Sequence, residues 1–264
     1  MLDALSSAVS GMDVNAKSLK VNANNIANLN TAGFKASAAS IANAPSTGMN
    51  EVAAGGGALV NSITRQMTQG AFMSTGNPLD MAIDGGGFFT LKDQNGAKFY
   101  SRDGGFSVDA NGFVVNPQGL KLQGLTPQGA LTDLNVSQVS NAETGIGVDS
   151  QGIVSASFTD GGSRQGVVAP PPGRVALSRF GAPQNLNSVG RNLYAQTAAS
   201  GNAITGVPGS PGLGGIVSGA LEQSNVDLAG EFVNMISAQR AFQANTKTVR
   251  LNDETTRDIL DLKA

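Results

Sequence analysis

The sequence predicts an α+β fold, with helices from the two chain ends paired and a β-rich domain between them. Two observations carry this. Residues 1–36 and 224–264 are both helix-like and both keep a seven-residue apolar rhythm. Between them, glycine-rich turn signals cut the chain into short hydrophobic runs, and 35 of the 264 residues are glycine.

In the N-terminal segment Leu2, Val9, Ala16 and Ala23 recur every seven residues, and Leu5, Met12, Leu19 and Ile26 fill the other seam position. This is a coiled-coil a/d pattern in which the a positions shrink to alanine, so a partner helix can approach closely. An asparagine-rich run, Asn22 to Asn30, then lowers helix propensity. Asn24 to Asn28 are expected to be the last turns, with Gly33 as the stop and Phe34 as the apolar contact beyond it. The amides of Asn25 and Asn28 either fray into solvent or bond to a neighbouring chain.

Residues 36–59 are small, polar and glycine-rich and read as a linker, or as a segment that orders only in an assembly. A β-rich domain is expected over 60–197. Leu79 to Ile83 alternates, and Phe88 to Leu91, Lys98 to Ser101, Phe106 to Val108 and Phe113 to Val115 read as strands. Asp93-Gln94-Asn95-Gly96 and Asp109-Ala110-Asn111-Gly112 read as the turns between them. Further short strands are expected over 120–125 and 145–158. Pro170-Pro171-Pro172 is a stiff break, Arg174 to Phe180 resumes the strand pattern, and 198–223 reads as the return linker. The C-terminal helix begins near Ser224-Asn225-Val226-Asp227. Leu228, Met235, Phe242 and Val249 form its stripe, joined once by Phe232 and later wetted by Gln239 and Thr246. Beyond Asn252 the register shifts to Ile259 and Leu262.

Composition narrows the function. There is no cysteine and no histidine, which removes disulfides, thiol nucleophiles, zinc–thiolate sites and the usual proton shuttle near neutral pH. The net charge of −2 and the dispersed Lys and Arg give no footprint for nucleic acid. No stretch is apolar enough to span a bilayer. Asp3 and the interrupting serines do not fit a secretory signal peptide, so departure from the cytoplasm would use a route without cleavage. No cofactor is implied. Asp109-Ala110-Asn111-Gly112 resembles the start of a calcium loop, but Leu120 stands where the closing Glu would be. Asp84-Gly85-Gly86-Gly87 lacks the spacing of a phosphate cradle. Asp80 and Asp84 could form a carboxylate pair on one strand face, as in a carbohydrate-active enzyme. A soluble coiled-coil adaptor is a further alternative.

Three blocks then resemble one family. Asn24-Asn25-Ile26-Ala27-Asn28 with Thr31-Ala32-Gly33-Phe34-Lys35 resembles the N-terminal signature of bacterial flagellar rod and hook proteins. Ser224-Asn225-Val226-Asp227-Leu228, followed by Glu231 to Asn245, resembles their C-terminal signature. Gly76 to Phe89, continued by Tyr100 to Phe106, is similar to the opening of their β domain. The resemblance implies a non-enzymatic subunit of the flagellar axial structure, hook or distal rod, in basal body or hook outside the cytoplasm. It implies export through the flagellar type III apparatus, assembly with copies of itself and with other axial proteins, and torque transmission in motility. It also implies that the terminal helices form an inner tube with the β domain outside. The length leaves little room for the extra domain of a hook protein. Residues 36–62 are short for a distal rod insert, and Tyr100-Ser101-Arg102, Asn116 to Gly124 and Gly219 to Gln223 look hook-like. The lean is therefore to a short hook or hook-like rod subunit. The residues expected to carry assembly are Leu5, Val9, Met12, Leu19, Asn25, Ile26, Asn28, Gly33, Phe34, Leu228, Phe232, Met235, Phe242 and Val249.

Overall fold

The computed structural model describes residues 2–45, 56–136, 146–156 and 174–261. The chain forms two units. Unit 1 comprises Met1–Leu29, Ala36–Gln66 and Val226–Ala264, and unit 2 comprises Asn30–Lys35 and Met67–Asn225.

Unit 1 holds helix α1 (Leu2–Ala27), helix α2 (Leu228–Asp261) and an antiparallel strand pair, β1 (Ser37–Asn43) and β2 (Ala58–Arg65). Asp227 caps α2, its Oδ1 accepting from the Ala229 N–H at 3.1 Å. The strand pair takes in 37–43 and 58–59 of the linker expected over 36–59. Sequence alone misses it because alanine and serine are weak strand formers. The pairing is supplied from outside the strands, by α1: the Ser10 hydroxyl accepts from the Ala58 N–H at 3.2 Å. Gly55 and its neighbours over 46–55 lie outside the described residues.

Unit 2 is built from antiparallel strands. The main sheet runs in the order Asn187–Gly190, Leu193–Ala195, Lys98–Ser101, Phe88–Lys92, Lys121–Leu125, Val114–Val115, Ser107–Val108. Leu131–Asp133 and Arg174–Val175 pair with Lys121–Leu125, and Leu177–Arg179 pairs with Phe88–Lys92 and Ile204–Gly206. Three smaller pairs join Ile146–Val148 to Val154–Ala156, Gly215–Ser218 to Met81–Asp84, and Ala220–Glu222 to Phe72–Ser74. The expected return linker thus contains three strands, Ile204–Gly206, Gly215–Ser218 and Ala220–Glu222. Its glycines and prolines make turns between them, as the positive φ of Gly209 and Gly212 requires. The Pro170–Pro172 break lies outside the described residues.

The strand Phe88–Lys92 is buried on both faces, which explains its unbroken apolar run. Phe89 and Leu91 enter the larger core with Met81, Ile83, Leu122 and Leu177. Phe88 faces the other way, into an aromatic cluster with Tyr100, Phe180 and Tyr194. There the rings meet edge to face, Tyr100 and Phe180 at 4.7 Å between centroids. Met81, Ala82 and Ile83 are all fully buried, so the alternation read over 79–83 is in fact a continuous core run.

The hairpin turns follow one template. In Asp109-Ala110-Asn111-Gly112 the Asp109 Oδ1 accepts from the N–H groups of Asn111 (2.9 Å) and Phe113 (2.8 Å). The Gly112 N–H returns to the Asp109 carbonyl at 3.0 Å, with Gly112 at φ +80°. Asp93, Asn116 and Asp149 repeat this, each accepting from the residues two and four places on. The carboxylate oxygen that suggested a calcium loop is thus engaged by its own turn.

A buried ionic cluster sits in unit 2. Glu222 Oε1 accepts from Lys35 Nζ at 2.6 Å and from the Gly70 N–H at 3.0 Å. Its Oε2 accepts from Arg102 Nη1 at 3.2 Å. Lys35 Nζ also donates to the Thr68 carbonyl at 2.7 Å, and Arg102 Nη2 to the Gly85 carbonyl at 2.8 Å. Burial pushes the Lys35 amine and the Arg102 guanidinium below their usual ranges, against the opposing pull of Glu222. Gly33 is not the helix stop expected from sequence. Helix α1 ends at Ala27, and Gly33, at φ +67°, is small because a Cβ there would meet the Asp103 nitrogen at 2.5 Å.

Two outcomes follow for the full chain. Glu222→Gln leaves two buried cations without their carboxylate and should cost about 3–5 kcal/mol in denaturant unfolding. Asp109→Ala should cost about 1 kcal/mol with an unchanged denaturant slope. Asp109→Asn should lose less, since Asn116 serves the same turn. An alanine variant as stable as the parent would exclude the template's energetic role.

Candidate assembly interface

The helices of unit 1 run antiparallel: residues 11 and 12 of α1 meet residues 245 and 246 of α2, and residue 25 meets residue 231. Their shared seam is small and polar. A Cβ on Gly11 would sit 2.5 Å from Asn245 Nδ2, so glycine permits the close approach. The Thr246 hydroxyl donates to the Met12 sulfur at 3.4 Å. Glu231, in the first turn of α2, ties the other end. Its Oε1 accepts from Asn25 Nδ2 at 2.7 Å, and its Oε2 from the Asn22 amide at 3.3 Å once that amide is oriented to suit its neighbours. Asn25 also donates to the Ser37 carbonyl at 2.8 Å and accepts from the Ser37 N–H at 2.9 Å. Asn25 is fully buried and bonded within its own chain, so its amide offers no surface to a neighbour. Asn28 Nδ2 likewise donates to the Asn24 carbonyl at 2.9 Å.

Most of the heptad stripe lies elsewhere. The inward face of α1 carries Ala8, Val14, Val21 and Asn25. Val9 is 50% exposed, Ala16 and Ala23 are exposed, and Leu5, Met12, Leu19 and Ile26 are half-buried at the rim. Of the a/d stripe, Met12 touches the intramolecular seam, whereas Val9, Ala16 and Ala23 stay exposed. On α2, Met235 and Val249 are half-buried, whereas Leu228, Phe232 (46% exposed) and Ile236 (56%) form an open row at i, i+4 and i+8, with Phe242 also exposed. In the strand pair Ile41 and Ile63 are more than half exposed. Gly33 and Phe34 belong to unit 2.

Both hydrophobic core clusters found among the described residues lie in unit 2. Unit 1 instead keeps large apolar side chains on both helices and on the strand pair in contact with solvent. A surface of that kind is a candidate contact surface. The residues that sequence reading missed are Glu231 and the cluster of Lys35, Arg102 and Glu222. The available signal was lone charges set among small and apolar neighbours: Gly33-Phe34-Lys35, Tyr100-Ser101-Arg102 and Ala220-Leu221-Glu222.

Asp80 and Asp84 flank the strand Met81–Asp84. Asp80 Oδ1 accepts from Asn77 Nδ2 at 3.0 Å and Asp84 Oδ1 from Gln69 Nε2 at 3.4 Å, so each serves a local contact. No helix among the described residues is long and apolar enough to cross a membrane.

Comparison with known families and proteins fits this geometry. Residues 5–35 match the flagella basal body rod protein family, residues 82–156 the flagellar hook protein FlgE/F/G D1 domain, and residues 217–262 the flagellar basal body rod FlgEFG protein C-terminal family. The chain is 34% identical to the flagellar basal-body rod protein FlgG of Borreliella burgdorferi, covering 96% of each chain. It is 35% identical to FlgG of Bacillus subtilis over the full length of both. To the flagellar hook protein FlgE of Salmonella typhimurium the identity is 27%, over 98% of this chain and all of the hook protein. The similarity above 30% is thus to rod proteins, and neither the enzyme nor the adaptor alternative finds support. The chain belongs to the flagellar basal-body rod protein family, and is a structural subunit of the flagellum rather than an enzyme.

Proposed function

We propose that this rod subunit polymerises with copies of itself and with other axial proteins through the open apolar faces of unit 1. The observation that carries this is the small core: among the described residues, unit 1 buries Ala8, Val14, Val21, Ala36, Val226 and Ala238 but none of its larger apolar side chains. Two helices joined by a polar seam, beside one strand pair, leave Val9, Phe232, Ile236, Ile41 and Ile63 in water. Isolated elements of this kind are marginal. Neighbouring subunits that cover these residues supply the apolar burial that unit 1 does not supply for itself. The a/d stripe of α1 and the Leu228–Phe232–Ile236 row of α2 are the helical contact surfaces, in a coiled-coil-like arrangement between subunits. Leu5, Met12, Leu19 and Ile26 are the half-buried part of the first, and Met235, Phe242 and Val249 border the second. Export through the flagellar type III apparatus and torque transmission accord with the family resemblance.

Phe232→Asp tests this reading. Phe232 is nearly half exposed, so the free subunit should keep its circular dichroism and unfold within about 0.5 kcal/mol of the parent. A charge buried at a subunit contact should abolish assembly, seen as a loss of polymer in sedimentation and of rods in electron micrographs of the producing cells. Normal rods built from this variant would contradict the assignment of the α2 row.

A further inference from the structure

The buried cluster is unbalanced. The buried Lys, Arg, Asp and Glu side chains among the described residues are Lys35, Arg102 and Glu222: two cations and one carboxylate. Arg102 spends Nη1 and Nη2 on Glu222, Ile83 and Gly85, but its Nε–H is buried with no acceptor. A guanidinium has five N–H donors, and leaving one unbonded away from water is costly.

Arg102 also lines a cavity of about 210 Å³, together with Met67, Phe88, Phe180, Arg179 and Gly212. The guanidinium stands 5.4 Å from the centre of the Phe88 ring. At the rim Arg179 is exposed, and a Cβ on Gly212 would come within 3.2–3.4 Å of its Cδ, Nε and Cζ, so the glycine leaves room for this second guanidinium. The cavity therefore combines apolar and aromatic walls with two guanidinium groups and a surplus of positive charge. Its volume suits a single side-chain-sized group.

We infer that this cavity is a carboxylate-binding site, which takes a carboxylate carried on a small apolar body. The oxygens meet the Arg102 and Arg179 guanidinium groups and the body packs on Phe88, Phe180 and Met67. The anion offsets the excess charge of the cluster. Its source is either a free small carboxylate or an Asp or Glu side chain of a second copy of this chain.

The experiment follows the side-chain Nε–H resonances of the full-length protein labelled with 15N-arginine, titrated with benzoate against chloride at equal ionic strength. Benzoate should move the Arg102 signal saturably, and Arg179→Gln should weaken binding at least about fivefold, the scale of one charge-assisted contact. Arg102→Lys also disturbs the Glu222 cluster, so Arg179→Gln is the deciding variant. If the Arg102 signal also moves when the protein is concentrated without benzoate, and benzoate competes with that movement, the carboxylate comes from a second copy. Movement with benzoate alone assigns a free ligand. An Arg102 signal that responds to neither, a concentration-dependent movement that benzoate does not compete with, or a benzoate affinity unchanged in Arg179→Gln overturns the site.

Discussion

The Glu222 carboxylate is the constraint on which the architecture depends. The chain passes between the two units at residues 29–30, 35–36, 66–67 and 225–226. Lys35 sits just before the second of these passages, Thr68 and Gly70 just after the third, and Glu222 just before the last. Glu222 bonds Lys35 and the Gly70 N–H, while Lys35 bonds the Thr68 carbonyl. Three separate segments are thus set in register by one buried group. Such a cluster adds little stability over a well-packed apolar substitute, because desolvating the ions offsets much of their attraction. It does penalise every other register, since a slipped strand would strand a charge in the core. Backbone geometry enforces the same register: the Gly33 N–H donates to the Glu222 carbonyl at 2.8 Å.

The two units divide the physics of the molecule. Unit 2 closes its own core, with strands buried on both faces and edge-to-face aromatics sealing the second layer. Its turns are self-sufficient, each satisfied by the side chain of its own first residue. Unit 1 satisfies polar groups internally, through Glu231, Asn22 and Asn25, buries only small apolar side chains such as Ala8, Val14 and Val21, and leaves larger ones such as Phe232 and Ile236 exposed. That arrangement accords with the proposal that neighbouring subunits complete its burial. It is also consistent with the family to which the chain belongs.

Much of this was legible in the sequence, and the failures have physical causes. Both helices could be read because long periodic segments announce themselves, and Asp93 and Asp109 marked their hairpins through turn chemistry. Periodicity identified the stripe of Leu5, Val9, Met12 and Leu19 but not what it faces. Glycine at position 11 and asparagine at 245, which carry the actual helix seam, have no hydrophobic signal. Strand β1 escaped because Ala38, Ala39 and Ser40 are weak strand formers, whereas most of β2 fell in the region read as strand from residue 60. The run Met81-Ala82-Ile83 looked half-buried because alanine is neutral in such patterns. Lys35 and Glu222 could not be matched at all, since nothing local relates charges so far apart in the chain.

That separation governs the order in which the protein can fold. Lys35 and Glu222 are 187 residues apart, and the first cannot be satisfied until the second has been made. A ribosome delivers the chain from its N-terminus, so the Gly33–Lys35 segment, the strand Phe72–Ser74 and Arg102 all wait for a partner at residues 220–222. Contacts of such length are slow to form, because loop closure must come before any reward from pairing. The hairpins around Asp93, Asp109 and Asn116 can fold early on local contacts alone. The closing strand arrives last, only a few residues before α2 begins. Until then unit 2 is an open set of hairpins whose edges and buried cations are unsheltered, and completion of the chain is the event that commits it to its native state.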